Sequence, residues 1–141
     1  MLRVSCIFCE LMDTRAARWV ADREQAVAFL PLVEDEFAAG HTLVVSRAHA
    51  IGVHDADEPD VLAVASLARE VARAAITALG ASGVVVLNAS GPDSGQTVPH
   101  LHFHVVPRWD DDEETLPWLR QRSGHRPAGR PEALLSAALR P

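Results

Sequence analysis

The 141-residue sequence has no long apolar run, few cysteines and no cluster of basic residues, and each absence excludes a class of protein. No segment approaches the roughly 18 consecutive apolar residues that a membrane-spanning helix needs. The first residues, MLRVSCIFCELMD, hold one basic residue and an apolar stretch too short for a secretory signal, so we expect a cytoplasmic protein. With a net charge of −6 and singly scattered arginines, we expect neither nucleic acid nor a membrane as partner.

The only two cysteines, Cys6 and Cys9, are three positions apart, which excludes a disulfide framework. In a reducing compartment such a pair is more often a set of metal ligands or a redox couple than a structural disulfide. Cys-x-x-Cys is half of a tetrahedral zinc site and needs two further nitrogen or sulfur ligands. A redox role is an alternative, although no thioredoxin-like βαβ pattern follows, and two unconnected buried thiols are another.

What the sequence does contain is enough apolar material, 48%, for a single core, and no internal repeat. ARWVADREQAVAFLPLV predicts a hairpin that turns at Asp22 to Gln25, GHTLVVSRAHA a third strand, and GVVVLN and VPHLHFHVV a fourth and fifth that pair. Between them, EPDVLAVASLAREVARAAITALG predicts one long helix, with Pro59 in its first turn and Gly80 at its end. The pattern favours an α+β domain whose antiparallel sheet is covered by helix on one face.

The residues after the fifth strand differ in character from the rest. ETLPWLRQRSGHRPAGRPEALLSAALRP carries two short helical patterns separated by a segment rich in proline, glycine and arginine. We therefore expect residues 1–110 to form the main domain and residues 111–141 to form a C-terminal extension, packed on that domain or on a partner subunit.

Three histidines alternate with apolar residues in the predicted fifth strand. Since side chains two apart on a strand point to the same face, His100, His102 and His104 are expected on one face, and Leu101, Phe103 and Val105 on the core side. The rings would then lie close enough to converge on one small group. Three exposed or merely structural histidines are the alternative interpretation, and a catalytic metal held by the three rings is another.

A glycine-rich polar stretch, ASGPDSGQ, directly precedes this strand and could aim backbone N–H groups at an anion. Together with CIFC and GHTLVVSRAH, the motif HLHFHVV resembles the histidine triad superfamily of nucleotide hydrolases and transferases, over residues 6 to 109. That resemblance implies a HIT-like catalytic domain that cleaves at the α-phosphorus of a nucleoside phosphoramidate or dinucleoside polyphosphate through a nucleotidyl-histidine intermediate. A non-catalytic, zinc-containing nucleotide-binding module is the alternative.

The resemblance also implies roles for single residues. His102 matches the nucleophile, His104 would bind and neutralise phosphoryl oxygens, and Gln96 and Thr97 would stabilise their charge. Cys6 and Cys9 would join His49 and His100 around a structural zinc ion. The other substrate-binding residues implied are Asn88, Ser94 and Gly95 in the loop, with Ile7, Phe8 and Leu11 covering the base.

The sequence departs from the family at two positions. Val33 stands where many members have an aspartate or asparagine that grips the ribose, and Asp35 would take over if the strand continued, because it would share that face. Ser46 replaces a common proline. His41, His54 and His125 are expected to be structural. By analogy with the family, and from the wide apolar stripe of the long helix, we expect a homodimer.

Overall fold

The computed structural model describes residues 5–112 and 124–140. Within these ranges, no helix is both long and apolar enough to cross a membrane. In chain order the elements are α1 Ile7–Thr14, β1 Arg18–Asp22, β2 Ala26–Leu30, a 3-10 turn Val33–Asp35, β3 Thr42–Ser46, α2 Glu58–Leu79, β4 Gly83–Leu87, β5 His102–Arg108 and α3 Pro131–Ala138.

The five strands form one antiparallel sheet in the order β1-β2-β3-β5-β4. The hairpin that turns between Asp22 and Ala26 and the pairing of β4 with β5 confirm the predictions. β5 lies between β3 and β4, with His102 opposite Val45 and His104 opposite Leu43. The α+β fold with one long helix is therefore confirmed.

Helix α2 begins and ends where the sequence predicts. Asp57 is the N-cap, Pro59 lies in the first turn, and Gly80 ends the helix in the left-handed region at φ 70°. The N–H of Gly80 donates to the carbonyl of Ala75, which satisfies one of the carbonyls left free at the helix end. A residue with a side chain would be strained at this position.

Both faces of the central strands are buried, so the expectation of helix on one face was incomplete. α2 covers one face through a cluster that includes Val64, Leu67, Val44, Leu101 and Val105. The opposite face carries a second cluster, in which Phe8 of α1 packs on strand residues and Leu11 packs at its edge. β2 and β3 are therefore buried along nearly their whole length instead of alternating with solvent. The second cluster comprises Phe8, Val27, Phe29, Leu43 and Val45.

Two expectations about strand ends were wrong. β5 begins at His102, so His100 precedes the strand, because the N–H groups of His100 and Leu101 donate to the carbonyls of Val98 and Ala50 and not to the β3 ladder. β2 ends at Leu30, and the 3-10 turn that follows breaks the period-two alternation on which the placement of Asp35 rested.

The structure divides into two units, residues 1–111 and 112–141. The first holds the sheet with α1 and α2. In the second, α3 at Pro131–Ala138 confirms one of the two predicted helical patterns, and the other lies outside the described residues. The packing of the extension on the domain or on a partner stays a prediction.

Candidate functional site

Two cysteines and two histidines converge at one end of the sheet. Cys6 is the N-cap of α1 and Cys9 lies in its first turn, while His49 follows β3 and His100 precedes β5. One ligand atom from each of the four lies within 4.8 Å of every other. The Sγ of Cys6 lies 3.4 Å from Nδ1 of His100, and the Sγ of Cys9 lies 3.6 Å from the same atom and 3.7 Å from Nδ1 of His49.

These separations fit a tetrahedral zinc ion. With Zn–S bonds of about 2.3 Å and Zn–N bonds of about 2.05 Å, a sulfur and a nitrogen lie about 3.6 Å apart and two nitrogens about 3.3 Å apart. The Nδ1 atoms of His49 and His100 are 3.1 Å apart, close to the second value. The four donors predicted by the resemblance thus have the chemistry and the spacing to hold one metal ion.

A hydrogen bond on the far side of the His100 ring orients it toward this cluster. Nε2–H of His100, which is fully buried, donates to the backbone carbonyl of Ser46 at 2.6 Å. This fixes the proton on Nε2 and leaves the Nδ1 lone pair to face the cysteines. Burial, with the Cys6 thiol beside it, raises the pKa of the Cys9 thiol to about 11. A cation would reverse this preference for the protonated thiol.

The His102 ring is held in one tautomer. Its Nδ1–H donates to the carbonyl of His100 at 2.7 Å, so a neutral ring carries its free lone pair on Nε2. Phe8 packs edge-on against the ring, with centroids 5.0 Å apart. Burial lowers the pKa of His102 below its ordinary value, against the hydrogen bond to His100, which raises it. The ring is therefore neutral at pH 7, the state that a nucleophile needs.

His104 is held by a chain of hydrogen bonds that the sequence analysis missed. The N–H of Phe37 donates to Nδ1 of His41 at 3.2 Å, and Nε2–H of His41 in turn donates to Nδ1 of His104 at 2.9 Å. A neutral His104 must then carry its proton on Nε2. Burial lowers the pKa of His41 to about 4 and, with the His102 and His41 charges, that of His104 to about 3. His104 is thus neutral at pH 7 in this structure, with its Nε2–H available to donate.

The glycine-rich loop, residues 88–97, runs beside the histidines. Asn88 donates from its amide to the carbonyl of His102 at 2.8 Å and so bonds the loop to β5. Gly91 and Gly95 have φ values of 91° and 94°, which only glycine adopts without strain. The Ser94 hydroxyl donates to the carbonyl of Gly91 at 2.6 Å. The loop backbone is therefore turned sharply at two points.

The predicted loop residues do not all point at an open site. The side chain of Gln96 bonds to the backbone, accepting from the N–H of Gly91 at 2.8 Å and donating to the carbonyl of Ile51 at 2.6 Å. Thr97 is exposed at the end of the loop. In this conformation Gln96 holds the loop together, and its amide is engaged within the protein.

The residues expected to contact the nucleoside lie in different environments. Phe8 is buried, Leu11 packs against the same cluster, and Ile7 is half exposed. Val33 and Asp35 are exposed in the 3-10 turn, outside the contacts that join the histidines. The structure thus brings together the four metal-site residues and the pair His102 and His104, but not Asp35.

A comparison with known proteins gives the family. A family model described as the HIT domain matches residues 14–111. The chain is 35% identical to an uncharacterised HIT-like protein of Mycoplasma genitalium over 109 residues, 75% of this chain and 74% of the relative. It is 28% identical to the adenosine 5'-monophosphoramidase of Schizosaccharomyces pombe over 111 residues, 77% and 78% of the two chains.

Solved structures agree with the sequence matches. A zinc-bound histidine triad family protein from Mycobacterium smegmatis is 30% identical, with a TM-score of 0.73 over 95% of this chain and 97% of that one. A HIT-like protein from Bartonella henselae is also 30% identical, with a TM-score of 0.74 over 82% and 85% of the two chains. The protein belongs to the HIT family, and its Cys-Cys-His-His cluster fits the zinc-binding branch.

Proposed function

We propose that the protein is a nucleotide hydrolase or transferase that cleaves at the α-phosphorus of a nucleoside phosphoramidate or dinucleoside polyphosphate. The observation that carries the proposal is the fixed tautomer of His102, a neutral imidazole whose Nε2 lone pair is free while Nδ1–H is bonded to a carbonyl. A general base is not needed to activate such a ring, because no proton has to leave Nε2 before it attacks.

The reaction would proceed in two displacements. Nε2 of His102 attacks the α-phosphorus, the bond from phosphorus to the leaving group breaks, and the leaving group departs with the electron pair and takes up a proton. Water then attacks the phosphorus of the nucleotidyl-histidine, loses a proton, and the electron pair of the N–P bond returns to Nε2. With another acceptor in place of water, the same second step is a transfer.

His104 and the glycine-rich loop would hold the phosphoryl oxygens. Nε2–H of His104 is a neutral donor in the tautomer set by His41, and such a donor stabilises an oxygen on which negative charge develops. The loop adds backbone N–H groups next to β5, with Asn88 fixing its position. We assign substrate contact to Ser94, Gly95 and Thr97 on this basis.

Relatives support the choice of substrate class. Two proteins named adenosine 5'-monophosphoramidase, from Schizosaccharomyces pombe and Saccharomyces cerevisiae, are 28% and 26% identical to this chain. An adenosine 5'-phosphoramidate is therefore the first substrate to test.

We also propose that Cys6, Cys9, His49 and His100 hold zinc. Zinc with four protein ligands has no open coordination position and contributes folding energy, not a reactive water. Bound there, it would fix α1 and the segment before β5 to one another. The nucleophile His102 is two residues after His100, so the same contacts would fix the start of the catalytic strand.

A homodimer in the cytoplasm is the assembly that we propose. Sheet strand β4 lies at an edge and exposes Val86, and α2 exposes Leu62, Ile76 and Leu79. Exposed apolar side chains, together with an edge strand that no described residue pairs with on its outer side, are suited to contact with a second copy of the chain. Sedimentation equilibrium at micromolar concentration tests this, and finding only monomer would reject it.

The function is tested with a panel of adenosine phosphoramidates, dinucleoside polyphosphates and nucleotide sulfates, assayed for release of nucleoside monophosphate. The wild type should release AMP from at least one member of the panel. A variant His102→Asn, folded by circular dichroism, serves as the control and should release none. Binding of AMP without turnover of any panel member would contradict the proposal and favour a nucleotide-binding module.

A further inference from the structure

A short segment, residues 50–55, follows the metal-site residue His49 in the chain and contacts the glycine-rich loop. We name it the strap. At its start the carbonyl of Ala50 accepts from the N–H of Leu101 at 2.8 Å. At its end the carboxylate of Asp55 accepts from the N–H groups of Ile51 at 3.2 Å and Gly52 at 2.8 Å. The strap is therefore a closed turn held at both ends.

The strap and the glycine-rich loop are in direct contact. The amide of Gln96 donates to the carbonyl of Ile51 at 2.6 Å, and the N–H of Val53 donates to the hydroxyl of Ser90 at 3.0 Å. A Cβ placed on Gly52 would lie 2.4 Å from Cβ of Ser90, so only glycine fits this approach. The two segments cannot shift independently without breaking these bonds.

The contacts continue from the strap to the nucleophile. Gln96 accepts from the N–H of Gly91 with its amide oxygen while its amide nitrogen bonds the strap. The hydroxyl of Ser90 donates to the amide oxygen of Asn88 at 2.6 Å, and Asn88 donates to the carbonyl of His102. An unbroken set of short hydrogen bonds thus joins the segment after His49 to the loop and to β5.

We propose that Gln96 is a positioning residue that couples the metal site to the glycine-rich loop through the strap, so that zinc binding raises nucleotide affinity. The inference rests on the proposed function, since it takes zinc and a nucleotide as the two ligands. Gln96 acts by fixing where the N–H groups of the loop point, and zinc acts by fixing His49 at the start of the strap.

Such coupling is reciprocal. If zinc strengthens nucleotide binding by a given factor, the nucleotide must strengthen zinc binding by the same factor. Couplings between two sites on one protein are typically about 5- to 150-fold, and we expect about tenfold here, since two hydrogen bonds link the segments.

The test measures the AMP dissociation constant by calorimetry for zinc-loaded and chelator-treated protein, in the wild type and in Gln96→Glu. Glutamate keeps an oxygen that can accept from Gly91 but has no N–H for the carbonyl of Ile51. Its added charge lowers the affinity for AMP both with and without zinc, so the ratio of the two constants isolates the lost contact with the strap. The ratio of the two constants should be about ten in the wild type and about three in the variant, because the bond from Val53 to Ser90 remains. Gln25→Glu, the same change in the β1–β2 turn, is the matched control and should keep the wild-type ratio.

Amide hydrogen exchange provides a readout that does not need a nucleotide. The N–H of Gly91, bonded to Gln96, should exchange more slowly with zinc than without it in the wild type, and this zinc dependence should be smaller in Gln96→Glu. Slow exchange of the α2 backbone amides in all samples shows that the fold is intact. An exchange rate of the Gly91 amide that does not change with zinc would contradict the coupling. A ratio of AMP dissociation constants that stays at about ten in Gln96→Glu would contradict it as well. If AMP binds to neither form, the proposed function fails, and the exchange of Gly91 still decides the coupling.

Discussion

Replacing His41 tests whether the chain of hydrogen bonds from Phe37 through His41 to His104 matters for catalysis. The amide of asparagine occupies the place of Nδ1 in histidine, so His41→Asn keeps a partner for the N–H of Phe37 but cannot reach His104. The amide of glutamine reaches the place of Nε2, so His41→Gln can still donate to His104. His41→Asn thus loses the hydrogen bond that sets the tautomer of His104, whereas His41→Gln keeps that bond and loses the acceptor for the N–H of Phe37.

The size of the effect follows from the contact that is lost. Without the His41 donor, the tautomer of His104 that carries Nε2–H leaves its Nδ1 as an unsatisfied buried acceptor, which costs about 1 to 3 kcal/mol relative to the other tautomer. At 1.36 kcal/mol for each factor of ten, that is about a 5- to 150-fold loss of kcat/KM for His41→Asn. His41→Gln should stay within about fivefold of the wild type, since its donor replaces the original one.

The assay is hydrolysis of an adenosine phosphoramidate at pH 7, with kcat and KM measured separately. A loss in kcat is expected, because the contact of His104 with phosphoryl oxygen strengthens as charge develops. Equal losses in the two variants would refute the reasoning, since they would mean that packing around His41 and not the hydrogen bond is what matters. Wild-type kinetics in His41→Asn would do the same.

Three further predictions concern stability. Chelation should lower the melting temperature of the wild type. Cys6→Ser should no longer bind one equivalent of zinc, and its melting temperature should not respond to chelator. One equivalent of zinc retained in Cys6→Ser would instead favour a metal held by the triad histidines. The lowered pKa values of His41 and His104 keep both rings neutral in the folded state. As the pH drops from about 6.5 toward 4, these histidines take up protons in the unfolded chain but not in the folded one, so the free energy of unfolding falls. Denaturant unfolding should show this loss, of a few kcal/mol at most, reduced in His41→Asn/His104→Asn, and an equal loss in both proteins would contradict it. Leu101→Ala should cost about 2 to 5 kcal/mol, because the side chain is fully buried under α2, and a urea midpoint unchanged from the wild type would count against this packing.

The sequence predicts those parts of the site that depend on local pattern. The caps of α2 are set by Pro59 and Gly80, which act within one turn of the chain. The side-chain alternation of β5 places His102 and His104 on the face opposite Val105 because strand geometry has a period of two. The four metal-site residues followed from the resemblance, and their approach to within 4.8 Å agrees with it.

The contacts that sequence reasoning missed depend on the register between distant strands. His104 lies opposite Leu43, so His41, two positions before Leu43, shares its face and becomes a diagonal neighbour of His104. One residue of slip would move His41 to the other face, and no local signal fixes that register. Seen only in its own segment, His41 could therefore be predicted as structural but not as a partner of His104.

The ends of two strands were predicted wrongly for a related reason. β5 starts late because the N–H of Leu101 bonds to Ala50 in the strap, a segment about fifty positions away in the chain. The side chain of Gln96 donates a hydrogen bond to Ile51 of the same distant segment. A single sequence shows which residues can bond but not which distant backbone atoms compete for them.

The central claim is that His102 becomes covalently nucleotidylated, and trapping that intermediate tests it most directly. An adenosine phosphoramidate labelled at phosphorus is mixed with the protein and the reaction is quenched within one turnover. The wild type should carry acid-labile label, and His104→Asn should still carry some while its turnover falls about 10²- to 10³-fold, as for the loss of one oxyanion donor. His102→Asn should bind AMP, carry no label and lose turnover by several orders of magnitude. Label on His102→Asn, or turnover near that of the wild type, would contradict the account.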